Sequence, residues 1–398
     1  MNTIEIKSGI FWVGSIDFQL RHFHGYTFDT PEGTTYNSYL LKDREITLVD
    51  GVWGPFTNQW LEKIKSLVNI GQIKNIIVNH IEPDHSGSLT EIIKLNPKVM
   101  IYGTAKCESG LAKMYGLRNL NFKIVKTGDE ISIGEKTIKF LEAPMIHWPD
   151  SMFSYIPQDK LLLPNDGFGQ HWATKQRFDD EVDLDKLVNQ TKIYYAGILW
   201  PFSAIIKNKL AEIESLGWEI EMIAPSHGLI WRKNVDKIWN FYKKWSDQET
   251  EKKAVIVFET MWGATEIMAG KMAEGLAETG LKVKVMDVNK FSRVEIAKEL
   301  FEAKAYMIGS SVHDNGVLPN MSALLYYIKG MRPAGRIGMA FGSYGWGPTG
   351  TGEIEKFMIE ARIEKAMGSY NVQFTPNESE MEKCREIGKQ FGKIIGKA

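Results

Sequence analysis

Four potential metal ligands lie within six residues in the first quarter of the chain. His80, Glu82, Asp84 and His85 come directly after residues 73–79, a largely apolar run typical of a buried strand. Such a strand would deliver two imidazoles and two carboxylates into one loop. A catalytic zinc ion takes three protein ligands and a water, so this donor set exceeds what one ion uses. The pattern therefore predicts two metal ions, and its oxygen-rich character favours iron or manganese over zinc.

Three further ligand-type residues follow apolar segments later in the chain. They are His147, Asp166 and His227, and turn-forming residues come after each of them. A single His or Asp in such a place is more often a cap or a satisfied core residue. In combination with the first four residues, the metal-site interpretation is favoured.

Taken in order, these residues resemble the metallo-β-lactamase-like domain of the flavodiiron proteins. The zinc hydrolases of that superfamily typically carry His where this chain has Glu82. The resemblance implies two irons, one held by His80, Glu82 and His147 and the other by Asp84, His85 and His227, with Asp166 as the bridging carboxylate. It leaves open whether His85 binds iron, because some family members have that position off the metal.

The chain changes character at the charged stretch 246–253, which predicts a linker between domains at 1–250 and 254–398. In the second domain, short apolar strands alternate with amphipathic helices. Strands are expected at Ala254–Phe258, Lys282–Val288, Ala305–Gly309, Arg336–Phe341 and Val372–Phe374, and helices at Glu266–Thr279, Arg293–Ala303, Ala323–Lys329, Ile354–Ala366 and Glu380–Ile395. This alternation predicts a doubly wound parallel sheet, whose ligands bind beyond the carboxyl ends of the strands.

Three loops at those strand ends suit a flavin nucleotide. They contain Thr260, Met261, Trp262, Gly263, Ala264 and Thr265; Ser311, Val312, His313, Asp314 and Asn315; and Ser343, Tyr344, Gly345, Trp346 and Gly347. The first loop offers hydroxyls and amides to a phosphate at a helix N-terminus, and the third offers aromatic rings and close backbone approach to an isoalloxazine. An ordinary helix cap and packing against a neighbouring domain are the alternatives. The arrangement resembles flavodoxin with bound FMN.

The amino-terminal half begins with strands and continues with helices. Strands are expected at Ile4–Lys7, Ile10–Gly14, Ser38–Lys42 and Ile46–Val49, helices at Trp60–Val68, Leu89–Leu95, Ala105–Tyr115 and within Leu184–Leu216, and a hairpin at Lys123–Leu141. The resemblance implies a four-layer αββα sandwich. His24 and Tyr195 are candidate catalytic proton or hydrogen-bond donors near the metals, with a surface histidine and a core tyrosine as the alternatives.

Composition narrows the class of protein. Lys and Arg (48) balance Asp and Glu (49), so no basic surface for nucleic acid is indicated. No apolar span reaches membrane length and the N-terminus lacks a signal-peptide pattern, so we expect a cytoplasmic protein without a membrane partner. The sequence has only two cysteines, Cys107 and Cys384, which are too few to bind an iron–sulfur cluster or to form a rubredoxin module. Electrons must then come from a separate donor.

The resemblance implies an oxidoreductase that reduces O2 to water, NO to N2O, or both, with two irons and FMN per chain. The expected donor is a rubredoxin-like protein or the reduced deazaflavin F420. The expected assembly is a head-to-tail homodimer or a dimer of dimers. Two other functions remain open: a binuclear zinc hydrolase with a flavodoxin-like module, which Glu82 disfavours, and a non-enzymatic electron carrier.

Overall fold

The described chain forms two compact units. A computed structural model describes residues 3–396. The first unit comprises the described residues through Phe23, together with Thr30–Tyr194 and Phe202–Ser246. The second comprises His24–Asp29, Tyr195–Pro201 and the described residues from Asp247 onward. Two short segments from the first half of the sequence are therefore grouped with the second unit.

The first half contributes many short strands and a smaller set of helices. In chain order the strands are β1 (Ile4–Lys7), β2 (Ile10–Trp12), β3 (Ser15–Asp17), β4 (His22–Phe23), β5 (Phe28–Asp29), β6 (Thr34–Tyr36), β7 (Tyr39–Leu41), β8 (Ile46–Val49), β9 (Ile73–Ile77), β10 (Met100–Gly103), β11 (Phe122–Ile124), β12 (Glu130–Ser132), β13 (Thr137–Glu142), β14 (Met152–Ile156), β15 (Leu161–Leu163) and β16 (Met222–Ile223). The helices are α1 (Thr57–Leu67), α2 (Pro83–Ser86), α3 (Leu89–Leu95), α4 (Ala105–Tyr115), α5 (Leu184–Tyr194), α6 (Ser203–Ser215) and α7 (Val235–Ser246).

Two sheets form the centre of the first unit. One has the strand order β1-β2-β7-β8-β9-β10-β11 and the other the order β12-β13-β14-β15-β16. Trp12 and Ile77 of the first sheet pack with Phe140 and Leu163 of the second in one buried core. A second core joins the first sheet to helices, with Trp60 of α1 among its residues. The predicted metallo-β-lactamase-like sandwich is confirmed.

One local prediction in this unit is wrong. The segment expected to begin a hairpin at Lys123 is β11, which pairs parallel with β10 in the first sheet, and the hairpin itself is β12 with β13. The helices expected within Leu184–Leu216 are present as α5 and α6, with a π-helical turn at Tyr195–Leu199 and a 3-10 turn at Trp200–Phe202 between them. Pro201 lacks the N–H that a continuous helix would need there.

The second unit contains the parallel sheet. Its strands are β17 (Glu251–Glu259), β18 (Lys282–Asp287), β19 (Ala303–Ser311), β20 (Ile337–Tyr344), β21 (Glu364–Lys365) and β22 (Tyr370–Gln373), and its helices α8 (Ala264–Ala277), α9 (Arg293–Glu302), α10 (Pro319–Met331), α11 (Thr349–Glu360) and α12 (Glu378–Ile395). The order is β18-β17-β19-β20, and both β21 and β22 pair parallel with β20. This is the flavodoxin-like order, whose switch point lies between β17 and β19. The predicted doubly wound sheet is confirmed.

The helix expected over Ile354–Ala366 is too long. Helix α11 ends at Glu360, and Arg362 takes a left-handed backbone conformation with φ of 63°. Glu364–Lys365 then form the short strand β21. Strand pairing with β20 therefore overrides the helix-forming composition of this segment, as tertiary context commonly does.

The cysteines and the helices agree with what the composition indicates. Cys107 and Cys384 are both free and buried. Burial raises the pKa of the Cys384 thiol to about 12 and raises the pKa of the Cys107 thiol as well, which makes both thiols poor nucleophiles. Among the helices of residues 3–396, none is both long and apolar enough to cross a membrane.

Helices α8 and α12 approach closely through glycines. A Cβ atom on Gly275 would lie 1.9 Å from the carbonyl oxygen of Arg385, and one on Gly388 would lie 2.1 Å from that of Met272. Both distances are far below van der Waals contact. The two helix backbones therefore pack against each other only because these positions carry no side chain.

We expect Gly275→Ala to destabilise the flavodoxin-like unit by about 1–3 kcal/mol, because the added methyl forces α8 away from α12. Gly270 lies on the same helix, and a methyl group added there would meet no atom within 4 Å. Gly270→Ala should therefore stabilise the unit by about 0.5–1 kcal/mol through helix propensity alone. Urea unfolding followed by far-UV circular dichroism measures both; equal midpoints for the two variants would contradict the close packing.

Candidate metal centre and flavin site

The seven predicted metal ligands lie at the ends of strands. His80 and Glu82 follow β9, and α2 carries Asp84 and His85; His147, Asp166 and His227 follow β13, β15 and β16. Strands β13 and β15 are both antiparallel to β14, and β16 is parallel to β15. The ends of these three strands therefore meet at one edge of the second sheet, and the structure brings all seven side chains together in two adjoining groups.

The first group consists of His80, Glu82, His147 and Asp166. Oε2 of Glu82 lies 3.3 Å from Nε2 of His80 and 3.2 Å from Nε2 of His147. Oδ2 of Asp166 lies 3.7 Å from Nε2 of His80 and 3.2 Å from Nε2 of His147. Donor atoms about 2.1 Å from one ion lie roughly 3.0–3.4 Å from one another, so these four atoms suit a single cation.

The second group consists of Asp84, His85 and His227. Oδ2 of Asp84 lies 3.4 Å from Nε2 of His85 and 3.2 Å from Nε2 of His227. The other oxygen of Asp166, Oδ1, completes this group, at 3.2 Å from Nε2 of His85 and 3.5 Å from Nε2 of His227. Asp166 thus faces the first group with one oxygen and the second group with the other, which is the geometry of a bridging carboxylate.

Several of these donor atoms have no other partner. His80 and His85 are fully buried, and Asp166 is 1% exposed. Both oxygens of Asp84, both ring nitrogens of His85 and Oδ2 of Asp166 make no well-formed hydrogen bond to the described residues. Buried charged atoms normally pair or coordinate a metal. The unsatisfied atoms therefore fit a pair of cations, one in each group.

Without a metal, the neighbouring carboxylates favour the protonated forms of the ligand histidines. Burial lowers the pKa of His80, but its contacts with Asp150 and Glu82 outweigh burial and raise the pKa well above its usual range. The charges of Asp84 and Asp166 likewise overcome burial and raise the pKa of His85 to about 9. Burial would raise the pKa of Asp166, but the charge of His85 and the contact with His147 hold it well below its usual range.

Metal binding should consequently release protons at neutral pH. The raised pKa values leave the His80 and His85 imidazoles protonated there, and a metal binds only the neutral form. We expect the Fe(II) affinity of the metal-free chain to rise from about pH 6 to about pH 9 as these protons are lost. Anaerobic calorimetry in buffers of different ionisation enthalpy measures the protons released.

The exposed His22, on β4 and outside both groups, provides the control for this measurement. His22→Gln should release as many protons as the unaltered chain. An Fe(II) affinity that does not change with pH would mean that the imidazoles are already neutral before the metal binds.

Buried acceptors behind the ligands orient two of the imidazoles. Oδ2 of Asp150 lies 3.1 Å from Nδ1 of His80 and accepts the Ile81 N–H at 2.8 Å. The carbonyl oxygen of Thr35 lies 2.6 Å from Nδ1 of His227. Each acceptor holds the proton on Nδ1 of its histidine, so that Nε2 is free to face the metal position. Neither residue was predicted; Asp150 lies in the same turn as His147, which is the signal that could have identified it.

A buried carboxylate below the ligands ties two of their loops together. Asp50 accepts the backbone N–H and the side-chain amide of Asn79, at 2.7 and 3.1 Å, and the side-chain amide of Asn165 at 3.1 Å. Asn79 precedes His80 and Asn165 precedes Asp166. These hydrogen bonds hold the β9 and β15 loops in fixed relation. The pKa of Asp50 is raised, chiefly by burial.

Tyr194 lies beside the ligands, and the catalytic role of its neighbour Tyr195 stays a prediction. The ring of Tyr194 lies 6.0 Å from that of His227 and 4.9 Å from that of His171. Tyr195 is fully buried with its ring 5.4 Å from that of Phe301 in the second unit. Helix α5 ends at Tyr194, and the π-helical turn begins at Tyr195.

His24 is the other candidate catalytic residue, and Trp148 lies beside His80. His24 is exposed in the turn between β4 and β5, with φ of 50°, and its role near the metals stays a prediction. The ring of Trp148 lies 5.1 Å from that of His80, edge to face. Buried His171, whose Nδ1 lies 2.8 Å from the Thr34 hydroxyl, was not predicted and has no distinguishing sequence pattern.

A cavity of about 450 Å³ lies at the carboxyl end of the parallel sheet. It is lined by Met261, Trp262, Ala264, Ser311, Val312, His313, Asp314, Ser343, Tyr344, Gly345, Trp346, Phe374 and Thr375. All three predicted flavin loops contribute to it. Its size is that of a typical small-molecule site, and the exposed rings of Trp262, Trp346 and Phe374 form its rim.

Three hydroxyl groups meet at the floor of this region. Oγ1 of Thr265 lies 2.9 Å from Oγ of Ser311 and 2.9 Å from Oγ of Ser343, and the two serine oxygens are 3.1 Å apart. They lie at the N-terminus of α8, where the helix dipole favours an anion. Hydroxyls and backbone N–H groups in this position suit a phosphate group.

Five predicted flavin residues lie outside the cavity lining. They are Thr260, Gly263, Thr265, Asn315 and Gly347. Thr265 is at the floor of the cavity, Thr260 accepts the Gly263 N–H at 3.0 Å, and Asn315 accepts the Trp346 indole N–H at 3.2 Å. Phe374 and Thr375 were missed. They follow β22, and the carboxyl end of the fifth predicted strand was the available signal.

Comparison with known proteins agrees with both sites. The family model described as ODP family beta lactamase matches residues 34–228, and that described as Flavodoxin matches residues 256–388. The nitric oxide reductase of Moorella thermoacetica is 41% identical to this chain over 98% of both chains.

Two solved structures are similar over nearly the whole length. The rubredoxin oxygen:oxidoreductase of Desulfovibrio gigas has a TM-score of 0.97, 31% sequence identity and 99% coverage of both chains. The flavodiiron protein of Giardia intestinalis has a TM-score of 0.95 and 32% identity, covering 99% of this chain and 97% of its own.

The fold and the two sites define an oxidoreductase in which a metallo-β-lactamase-like domain precedes a flavodoxin domain. The chain belongs to the flavodiiron protein family. Its cofactors are accordingly a diiron centre and FMN. The predicted family, fold class and cofactors are confirmed.

Proposed function

We propose that this chain reduces O2 to water, NO to N2O, or both, at a diiron centre that receives its electrons through FMN. One observation carries the proposal: two adjoining groups of nitrogen and oxygen donors share Asp166, one oxygen to each group. The names of two similar proteins, a nitric oxide reductase and a rubredoxin oxygen:oxidoreductase, support the two substrates.

In this proposal the ligands are those that the resemblance implies. His80, Glu82 and His147 hold one iron, Asp84, His85 and His227 hold the other, and Asp166 bridges them. The unsatisfied atoms of Asp84, His85 and Asp166 support this assignment. When bound, the iron pair supplies the open coordination positions and the electrons that reduce a diatomic oxidant.

The protein side chains set the conditions for that chemistry. Glu82 adds a hard anionic donor where zinc hydrolases typically have His, which stabilises a higher metal oxidation state. Tyr194 keeps its phenolic proton at neutral pH, because burial and the charges of Asp166 and Glu82 raise its pKa well above the usual range. Its hydroxyl can thus serve as a hydrogen-bond donor beside the ligands.

The FMN would lie in the cavity of the second unit, with its phosphate at Thr265, Ser311 and Ser343 and its ring system between the loops that carry Trp262 and Trp346. The exposed rim would give an external donor access to the flavin. A rubredoxin-like protein is the favoured donor, because the name of a similar protein includes rubredoxin. Reduced F420 is the alternative.

A head-to-tail homodimer, or a dimer of such dimers, would bring the FMN of one chain to the irons of its partner. The exposed aromatic rim around the flavin cavity supports an occupant of this kind. His24, exposed in its turn, remains a candidate proton donor in the assembled site.

Two other functions are less well supported. A binuclear zinc hydrolase would use a metal-bound hydroxide, but Glu82 and the flavin cavity have no part in that chemistry. A non-enzymatic electron carrier would need only the second unit, whereas the first places seven ionisable side chains in two groups.

We expect the reduced chain, with iron and flavin quantified, to be reoxidised rapidly by O2 or NO in anaerobic stopped-flow measurements. Asp166→Asn should lower turnover at least about 100-fold, beyond what loss of an outer-shell partner costs, because both irons lose a ligand. Asp179→Asn is the matched control: Asp179 is equally buried but caps the backbone N–H groups of 232 and 234. Bound zinc with ester hydrolysis, or a reduced iron protein that consumes neither gas, would contradict the proposal.

Electron transfer between the subunits of the proposed dimer is tested with two variants. A His80→Asn chain, which lacks an iron ligand, is mixed with a chain carrying Thr260→Ala and Thr265→Ala, which weaken the phosphate site. Each variant alone should be inactive. Mixed dimers should regain turnover, because one intact FMN then faces one intact iron pair. Mixed dimers without turnover would count against electron transfer between subunits.

A further inference from the structure

The two iron sites have matching sets of direct ligands. Each receives two imidazoles, one carboxylate of its own and one oxygen of Asp166. Formal charge is therefore the same at both positions. Any difference between the two irons must come from the groups that lie behind these ligands.

The groups behind the histidines differ in charge. His80, in the first group, faces the carboxylate of Asp150, which is 2% exposed and also accepts the Ile81 N–H. His227, in the second group, faces the neutral backbone carbonyl of Thr35. An anionic acceptor draws the Nδ1 proton more strongly than a carbonyl does, so it makes the imidazole a stronger donor to its metal.

The bridging carboxylate is also asymmetric. The hydroxyl of Ser226 donates to Oδ1 of Asp166 at 2.8 Å, and this oxygen faces the second group. Oδ2, which faces the first group, accepts no hydrogen bond from the described residues. A hydrogen bond withdraws electron density from the oxygen that accepts it, so Asp166 is a weaker donor to the second iron than to the first.

We propose that Asp150 and Ser226 are positioning residues that make the two irons unequal, so that the iron at His80, Glu82 and His147 is the harder one to reduce. This inference rests on the proposed diiron function. Both effects act in the same direction: Asp150 strengthens donation to the first iron, and Ser226 weakens donation to the second. The first electron would then enter the iron at Asp84, His85 and His227.

One other buried carboxylate acts on the second group. The charge of Asp50 interacts with His85, but the Asp50 oxygens accept hydrogen bonds from Asn79 and Asn165. Nδ1 of His85 makes no hydrogen bond within residues 3–396. Asp50 therefore acts on the second group only through its charge. It makes no hydrogen bond to His85 of the kind that Asp150 makes to His80, which raises the basicity of that ligand.

Reductive titration of the iron-loaded full chain tests the inference, with the mixed-valent state followed by EPR. In the unaltered chain two separate one-electron potentials are expected. Asp150→Asn should raise the lower potential and leave the higher one nearly unchanged, so the maximal mixed-valent signal falls. Asp179→Asn, the buried carboxylate that touches no ligand, should leave both potentials in place.

Metal affinity gives a readout independent of redox chemistry. In chelator competition with Co(II), Asp150→Asn should lose about 10–100-fold affinity at one of the two sites, the usual cost of an outer-shell partner. The second site should be retained. A folded Asp150→Asn chain that keeps both affinities and both potentials would show that Asp150 has a structural role only, and would overturn the inference.

Ser226→Ala provides a second variant, in case Asp150→Asn does not fold. It removes only the hydroxyl, so Oδ1 of Asp166 becomes a stronger donor and the higher potential should fall. An unchanged higher potential, or a change in the lower one instead, would contradict the assignment. If the unaltered chain binds no exchange-coupled iron pair, the proposed function itself has failed, and that outcome is distinct from unchanged potentials in an iron-loaded variant.

Discussion

The first unit depends on burying seven ionisable side chains in one small volume. Isolated charges in such a place would each cost several kcal/mol in lost hydration. Here every carboxylate that points inward lies between 3.2 and 3.7 Å from imidazole nitrogens, and several donor atoms have no hydrogen bond of their own. A cation in each group satisfies both conditions, so the fold and its metals stabilise each other.

Both units carry the polar groups of their sites on loops at the ends of strands. Strand ends supply loops whose backbone is not committed to the sheet, and rigid strands below fix their positions. In the first unit, β13, β15 and β16 run in the same direction and end at one edge. In the second, β17 and β19 diverge at the switch point where the flavin cavity lies.

Much of this organisation could be predicted from the sequence because its signals are local. The ligands of the first motif lie within six residues, and strand–helix alternation identifies the parallel sheet without knowledge of contacts. The failures occurred where tertiary structure overrides a local pattern. The segment at Lys123 pairs with β10 instead of forming a hairpin with the next strand. Glu364–Lys365 formed a strand because β20 was available as a partner.

The sequence by itself determined the chemical types of the metal donors, their order along the chain and the order of the two domains. The tertiary structure alone decided which oxygen meets which imidazole, and which groups lie behind them. Asp150 is 70 positions from His80, Ser226 is 60 from Asp166, and Thr35 is 192 from His227. A hydrogen bond depends on distances of a few tenths of an ångström, and over such separations these are set by sheet packing rather than by neighbouring residues.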